Sequence, residues 1–331
     1  MLGILGISLW TLLDPKAKDV PKVLLLIAGF LLLSPFLDQI MELESVRFPL
    51  KYDYHLYRLD LALGITAFSI ARWFSEPSLP LLLAVYRSLT LAMIGWYAVH
   101  LRRREGTAGL LLTAYLIMYA SGPLLYMIVP GRGPRHAFPD AFPMGHPMVP
   151  PVLVKLEGWP NAMPSLHVAT ALLLALFAGK SKIAQYFAWT YLAGTVAATM
   201  ALEHYFIDLV VAIPFSCFAV ALAERRFRAA SGFLSLVLGW LCAIRLFTPV
   251  LLGTPFLTPC AALATVVVCA FWMHRRSSTM PAVTHNLAAH DPAGRDSAVL
   301  YTPCHSPASE LYTTGNIPAV TSGAAESQTI E

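Results

Sequence analysis

His204-Tyr-Phe-Ile-Asp-Leu-Val-Val-Ala-Ile-Pro-Phe-Ser-Cys-Phe-Ala-Val-Ala-Leu-Ala223 is the stretch whose reading decides the fold. After Asp208 no charged side chain appears until Glu224. A soluble amphipathic helix needs a polar face toward water, and this run offers none. Its length is near the roughly twenty apolar residues that carry a helix across a bilayer core. The start of the run is different in kind. A carboxylate at the edge of an apolar span is costly unless it is paired, and His204 stands four residues before Asp208.

Working outward, comparable apolar runs occupy about 22–43, 58–74, 79–100, 108–129, 165–179, 184–202, 231–252 and 256–273. With 206–223 they predict an all-α fold, a multi-pass transmembrane helical bundle of about eight or nine spans. The run Met1–Leu13 is shorter and fits a segment lying in the membrane interface; it carries no basic n-region of a cleaved signal peptide. Composition agrees: 57% of the residues are hydrophobic and 13% charged, against roughly 25% charged in an average soluble domain. A net charge of +4 is too small to suggest a nucleic-acid partner. The five cysteines show neither metal-ligand nor disulfide spacing.

The basic residues fall in short connections: Leu101–Gly106, Gly179–Lys182, Glu224–Arg228 and His274–Arg276. These alternate correctly if all four face the cytoplasm, which places Pro130–Met163 and the turn at Glu203–Tyr205 outside. The domain plan that follows is an N-terminal membrane segment (1–57), a helical core (58–223), additional transmembrane helices (224–276) and a disordered cytoplasmic tail (277–331) rich in Ser, Thr, Ala and Pro. The connection Pro130–Met163 holds eight prolines, and an internal loop of that length is usually functional.

Three elements could carry chemistry. In Asn161-Ala-Met-Pro-Ser-Leu-His-Val, Ser165 reads as an N-cap and His167 falls in the first helical turn, where unpartnered amides favour anions. By itself His167 fits an interfacial histidine better than a functional one. In His204…Asp208 the i, i+4 spacing lets the carboxylate hold the imidazole, leaving its other nitrogen as nucleophile or base; a structural His–Asp cap would share the pattern. The two histidines fall on one predicted face of the membrane, a single helical hairpin apart. In Val129-Pro-Gly-Arg-Gly-Pro-Arg-His, Arg132 and Arg135 offer planar forks suited to phosphate oxygens. Arg87, inside an apolar span, either reaches the same site or snorkels outward. Arg72 and Arg245 read as anchors, and His136 and His146 as loop histidines.

Pro164-Ser-Leu-His167 and His204-Tyr-Phe-Ile-Asp208 on successive helices resemble two signature motifs of the type 2 phosphatidic acid phosphatase superfamily. The form Met163-Pro-Ser-Leu-His, with Thr199-Met shortly before His-Tyr-Phe-x-Asp, is most similar to the inositol phosphorylceramide synthase branch. Gly133-Pro134-Arg135 looks like the first-motif loop of bacterial relatives of that branch. The resemblance covers roughly residues 79–223.

It implies a six-helix catalytic core and a metal-independent, cofactor-free phosphoryl or phospho-headgroup transfer on a membrane lipid. His204 would form a phosphohistidine, Asp208 would orient it, His167 would protonate the leaving oxygen, and Arg135, Arg132, Arg87 and Ser165 would bind phosphate. Three departures stand out. Ala197 and Ala198 replace the Ser-Arg of the phosphatase pattern, and Leu166 stands where the second motif usually has glycine; the first-motif lysine has no clear match.

The leading expectation is therefore a lipid phosphotransferase. A lipid phosphate phosphatase and a non-enzymatic lipid transporter or scramblase are the alternatives. The expected place is a bacterial inner membrane with the site on the periplasmic face, or the lumenal face in a eukaryote. Oligomeric state is not encoded in these motifs.

Overall fold

The computed structural model describes residues 38–74, 78–102, 107–159 and 163–279, with the isolated positions 24, 27 and 35. The segment Met1–Leu13, most of the run at 22–43, Arg103, Arg104, Asn161 and the tail from 280 onward lie outside the described residues.

After a helical stretch at 38–47, the chain forms eleven helices among the described residues: α1 (Asp53–Leu63), α2 (Ala67–Ala71), α3 (Leu79–Arg87), α4 (Leu89–Arg102), α5 (Thr107–Tyr126), α6 (Pro134–Ala137), α7 (Leu166–Leu176), α8 (Lys182–Leu202), α9 (Phe206–Ala223), α10 (Phe227–Gly253) and α11 (Leu257–Thr279). Two two-residue strands, β1 (Leu50–Lys51) and β2 (Val154–Lys155), pair antiparallel. They tie the end of the proline-rich loop back to the segment before α1. The expected all-α membrane bundle is what the chain forms.

Among the described residues the helices are less regular than the apolar runs suggest. Helices α5, α9, α10 and α11 are long and apolar enough to cross a membrane, and α3 with α4 makes a fifth if a pair bent by 50° counts as one. The run at 58–74 is broken at Gly64, which takes a left-handed φ of 73° and closes α1. The run at 79–100 breaks at Ser88, whose hydroxyl donates to the Val85 carbonyl at 2.8 Å and so competes with the helix ladder. The run at 165–179 yields only the 11 residues of α7.

Helix α9 is the axle. It packs against α5, α7, α10, α11 and α1, and Ile207 to Val211 and Phe215 to Cys217 are buried on every side. Small residues let neighbours approach closely where lipid supplies no hydrophobic drive. The Ser216 hydroxyl reaches the Ala169 carbonyl of α7 at 3.0 Å.

One end of the bundle gathers the basic connections. Arg276 Nε meets Glu224 Oε1 at 2.6 Å and its Nη1 donates to the Leu176 carbonyl at 3.0 Å, while His100 Nε2 lies 2.8 Å from the Phe177 carbonyl. The other end of α9, about 27 Å away at 1.5 Å per residue, carries Asp208 and the histidines. Arg72 and Arg245 are anchors, as read from the sequence. Arg72 bonds the Phe68 carbonyl and His146, and Arg245 bonds the Ile128 carbonyl at 2.7 Å.

Candidate active site

Helix α8 ends at Leu202, and the chain turns sharply before α9 begins at Phe206. The turn is held from behind by the Thr199 carbonyl, which accepts both the Glu203 and His204 amides at 2.9 Å. His204 therefore lies in the turn, not on a helix as its spacing from Asp208 suggests. The pair still meets because Asp208 is the third residue of α9. From there a carboxylate can reach back over the helix start. Its Oδ2 accepts the Tyr205 amide at 2.9 Å and stands 3.3 Å from His204 Nδ1. An ionised carboxylate can only accept, so it favours the form of His204 that carries a proton on Nδ1. His204, Asp208 and Ser165 are all buried.

The second histidine arrives from α7. Ser165 caps that helix, its hydroxyl accepting the Val168 amide at 3.4 Å, and its own amide donates to the Asp208 carbonyl at 3.3 Å. The two helix starts are thus stitched together, and the His167 and His204 rings lie with centroids 6.2 Å apart. A phosphorus atom needs a nucleophile on one side and a proton donor for the leaving oxygen on the other, and this separation suits two such groups around one centre.

Tyr86 was not legible in the sequence. Its ring stacks on His167 at 3.7 Å and 17°, and its hydroxyl donates to Glu203 Oε2 at 3.0 Å. Arg87, its exposed neighbour, was the expected contributor from α3; the residue that reaches the histidines is Tyr86. Arg135 is exposed on α6. Arg132 lies with its guanidinium against Gly158, where a Cβ would come within 2.5 Å of Nη2. The structure brings His167, His204, Asp208 and Ser165 together, while the Arg87 and Arg135 side chains are exposed and that of Arg132 lies against Gly158.

The arginine loop itself is fixed tightly to the histidine turn. Gly133 has φ of 91°, and a Cβ there would fall 1.7 Å from the Glu203 carbonyl oxygen. Only glycine fits that conformation and that contact. We expect Gly133→Ala to push the loop and the His204 turn apart; a misplacement of about 1 Å can cost about 10²-fold in rate. Turnover and thermal melting of the variant in detergent check this, and wild-type turnover would contradict it.

Two aspartates of α1 hold the same region from below. Asp60 accepts the Phe206 amide at 2.8 Å and the Ile207 amide at 3.0 Å, filling the start of α9. Asp53 accepts Arg132 N at 3.0 Å, Gly133 N at 2.8 Å and the Tyr205 hydroxyl at 2.9 Å. Burial pushes the Asp53 carboxyl up to about 6, and those three donors pull it the other way. Among the described residues no group of three His, Cys, Asp or Glu side chains is placed to hold a metal ion.

A helical membrane core with a His–Asp pair at one helix start and a second histidine facing it is the arrangement the motifs led us to expect. A family model described as the PAP2 superfamily matches residues 54–223. The chain belongs to the PAP2 superfamily. Neither a curated protein nor a solved structure matches it significantly. Membership in the PAP2 superfamily supports an enzyme of phosphatase or phosphotransferase type in a membrane. The match to the PAP2 superfamily opens at residue 54, inside α1, so it takes in the helix that carries Asp60 as well as both histidine motifs.

Proposed function

We propose that the protein is an integral membrane phosphotransferase that moves a phosphorylated headgroup between lipid or alcohol acceptors through a phosphohistidine, most like the inositol phosphorylceramide synthase branch of its superfamily. The observation that carries this reading is the His204 geometry: Nδ1 is turned to Asp208 at 3.3 Å, with His167 facing it.

In the first step Nε2 of His204 attacks phosphorus and the bond to the lipid oxygen breaks. His167, protonated, gives its proton to that oxygen, and the neutral lipid alcohol leaves. In the second step neutral His167 takes the proton of the acceptor hydroxyl, whose oxygen attacks phosphorus. The N–P bond breaks and His204 is restored. Asp208 stabilises the charge that develops on the imidazole. No metal enters this scheme, so the negative oxygens are met by protein donors, for which Arg135, Arg132, Arg87 and Ser165 are the candidates.

Burial of the nucleophile and of the groups behind it supports a lipid or alcohol acceptor over bulk water. The Ala197-Ala198 pair, standing where the phosphatase pattern carries Ser-Arg, supports the same choice. We place the site on the periplasmic face of a bacterial inner membrane, or the lumenal face in a eukaryote, because the basic connections gather at the opposite end.

Purified protein in lipid nanodiscs, given labelled phospholipids with and without acceptor alcohols, tests this by mass detection of products. The expected result is a transferred headgroup and a free lipid alcohol, formed equally well in EDTA. Inorganic phosphate released from phosphatidic acid without any acceptor would instead make it a lipid phosphatase. Lipid movement across the bilayer without any bond broken would make it a transporter or scramblase. Activity lost on chelation and recovered with added metal would overturn the mechanism.

A further inference from the structure

Helix α1 precedes every motif that drew attention in the sequence, yet its carboxylates touch both halves of the site. Asp53 and Asp60 are seven residues apart, two turns along one helix face. Asp60 takes the amides of Phe206 and Ile207, two and three residues after His204. Asp53 takes the amides of Arg132 and Gly133 and the hydroxyl of Tyr205 on one buried carboxylate.

We propose that Asp53 is a positioning residue for phosphoryl transfer, clamping the 131–135 loop to the residue next to His204. The proposal rests on reading His204 as the nucleophile.

The chemistry explains why an aspartate is needed. Three donors converge on one side chain, and the two carboxylate oxygens can receive all of them. An asparagine there must turn its NH2 toward one of those donors. A buried carboxylate is expensive to keep, and its hydrogen bonds are the compensation. The charges of Lys51 and Asp208 interact with it, the first favourably and the second unfavourably. The other device joining loop and turn is the contact of Gly133 with the Glu203 carbonyl. That contact resists only closer approach, whereas the Asp53 hydrogen bonds resist separation. Together they fix one distance between the arginine-bearing loop and the His–Asp pair. A phosphoryl group held by one and attacked by the other needs that distance constant.

The experiment uses the full chain in nanodiscs, with a labelled phospholipid as substrate and orthovanadate as the phosphate-like inhibitor. Asp53→Asn, Tyr205→Phe and the double variant are compared with the unmodified protein. Tyr205→Phe removes one donor from the clamp, keeps the ring in place, and decides the matter alone if Asp53→Asn does not fold. The expected result is a kcat about tenfold lower in Tyr205→Phe and lower still in Asp53→Asn. KM should stay within about twofold, and vanadate inhibition should weaken in parallel. The double variant should be no slower than Asp53→Asn, because both remove the same interaction. A merely structural aspartate would change melting and yield without this pattern in kcat and vanadate sensitivity.

Turnover that His204→Ala abolishes but Tyr205→Phe leaves untouched overturns the role of Asp53 alone, as do losses that multiply in the double variant. Turnover that survives His204→Ala overturns the nucleophile, and the proposal with it.

Discussion

Replacing His204 with alanine is expected to lower turnover by roughly 10⁴-fold or more, the scale seen when a covalent nucleophile is removed. The variant should take up no phosphate from substrate. His167→Ala should behave differently. It removes a proton donor and acceptor, a loss of about 10²–10⁴-fold, but leaves the nitrogen that attacks. With a donor whose leaving oxygen needs little protonation, such as a nitrophenyl phosphate ester, His167→Ala should still form the covalent intermediate and then stall, because no base activates the acceptor. The contrast separates the two histidines by role. The two rings lie with centroids 6.2 Å apart, so a structural function would make the variants alike. The His167→Ala protein also loses the stack with Tyr86, and melting curves of both variants control for that.

Asp208→Asn carries the second large effect. The aspartate oxygen 3.3 Å from His204 Nδ1 accepts a hydrogen bond there and favours the tautomer with its proton on Nδ1. An asparagine that presents its NH2 to Nδ1 demands the opposite tautomer, with the proton on Nε2, where it blocks attack. The cost of such a reversal in a comparable His–Asp arrangement is about 10⁴-fold, and we expect about 10³-fold or more here. The same Oδ2 accepts the Tyr205 amide, so an NH2 turned there also opposes that donor, and the variant should melt somewhat earlier as well as lose kcat. Measuring kcat and KM beside thermal melting checks this. A variant that melts early but keeps its rate would mean that Asp208 is only a cap.

Much of the fold was legible because lipid makes a simple demand on sequence. The charge-free run after Asp208 could only be a buried or membrane helix, and α9 is both. Ser165 after Pro164 announced a helix start, and it caps α7. Helix continuity was harder to read. Hydrophobicity does not register a left-handed glycine such as Gly64 or a hydroxyl such as that of Ser88 turned onto its own backbone, and these break two runs that look like single spans.

The candidate site was legible in its chemistry more than in its geometry. The four-residue spacing of His204 and Asp208 suggested a shared helix face, whereas the contact comes from a turn and a carboxylate reaching back from the third helical position. The arginines drew attention because charge in an apolar setting is conspicuous. Tyr86 did not, since a tyrosine in a span is ordinary and its stacking partner is 81 residues away in the chain. Asp53 and Asp60 left one usable signal: two acids seven apart at the head of an apolar run, each costly unless held. Their partners are backbone amides, which no side-chain pattern reveals.

The measurement that bears most directly on the account is the location of the transferred phosphorus. The His167→Ala protein, mixed with a donor labelled in its phosphate and quenched in base, should carry label on the peptide containing His204. That bond should hydrolyse in acid and persist in base, as a phosphoramidate does, and the label should vanish when His204 is also replaced. Label on a serine or an aspartate, or turnover of the unmodified protein with no label on the chain at any time, would contradict the phosphohistidine.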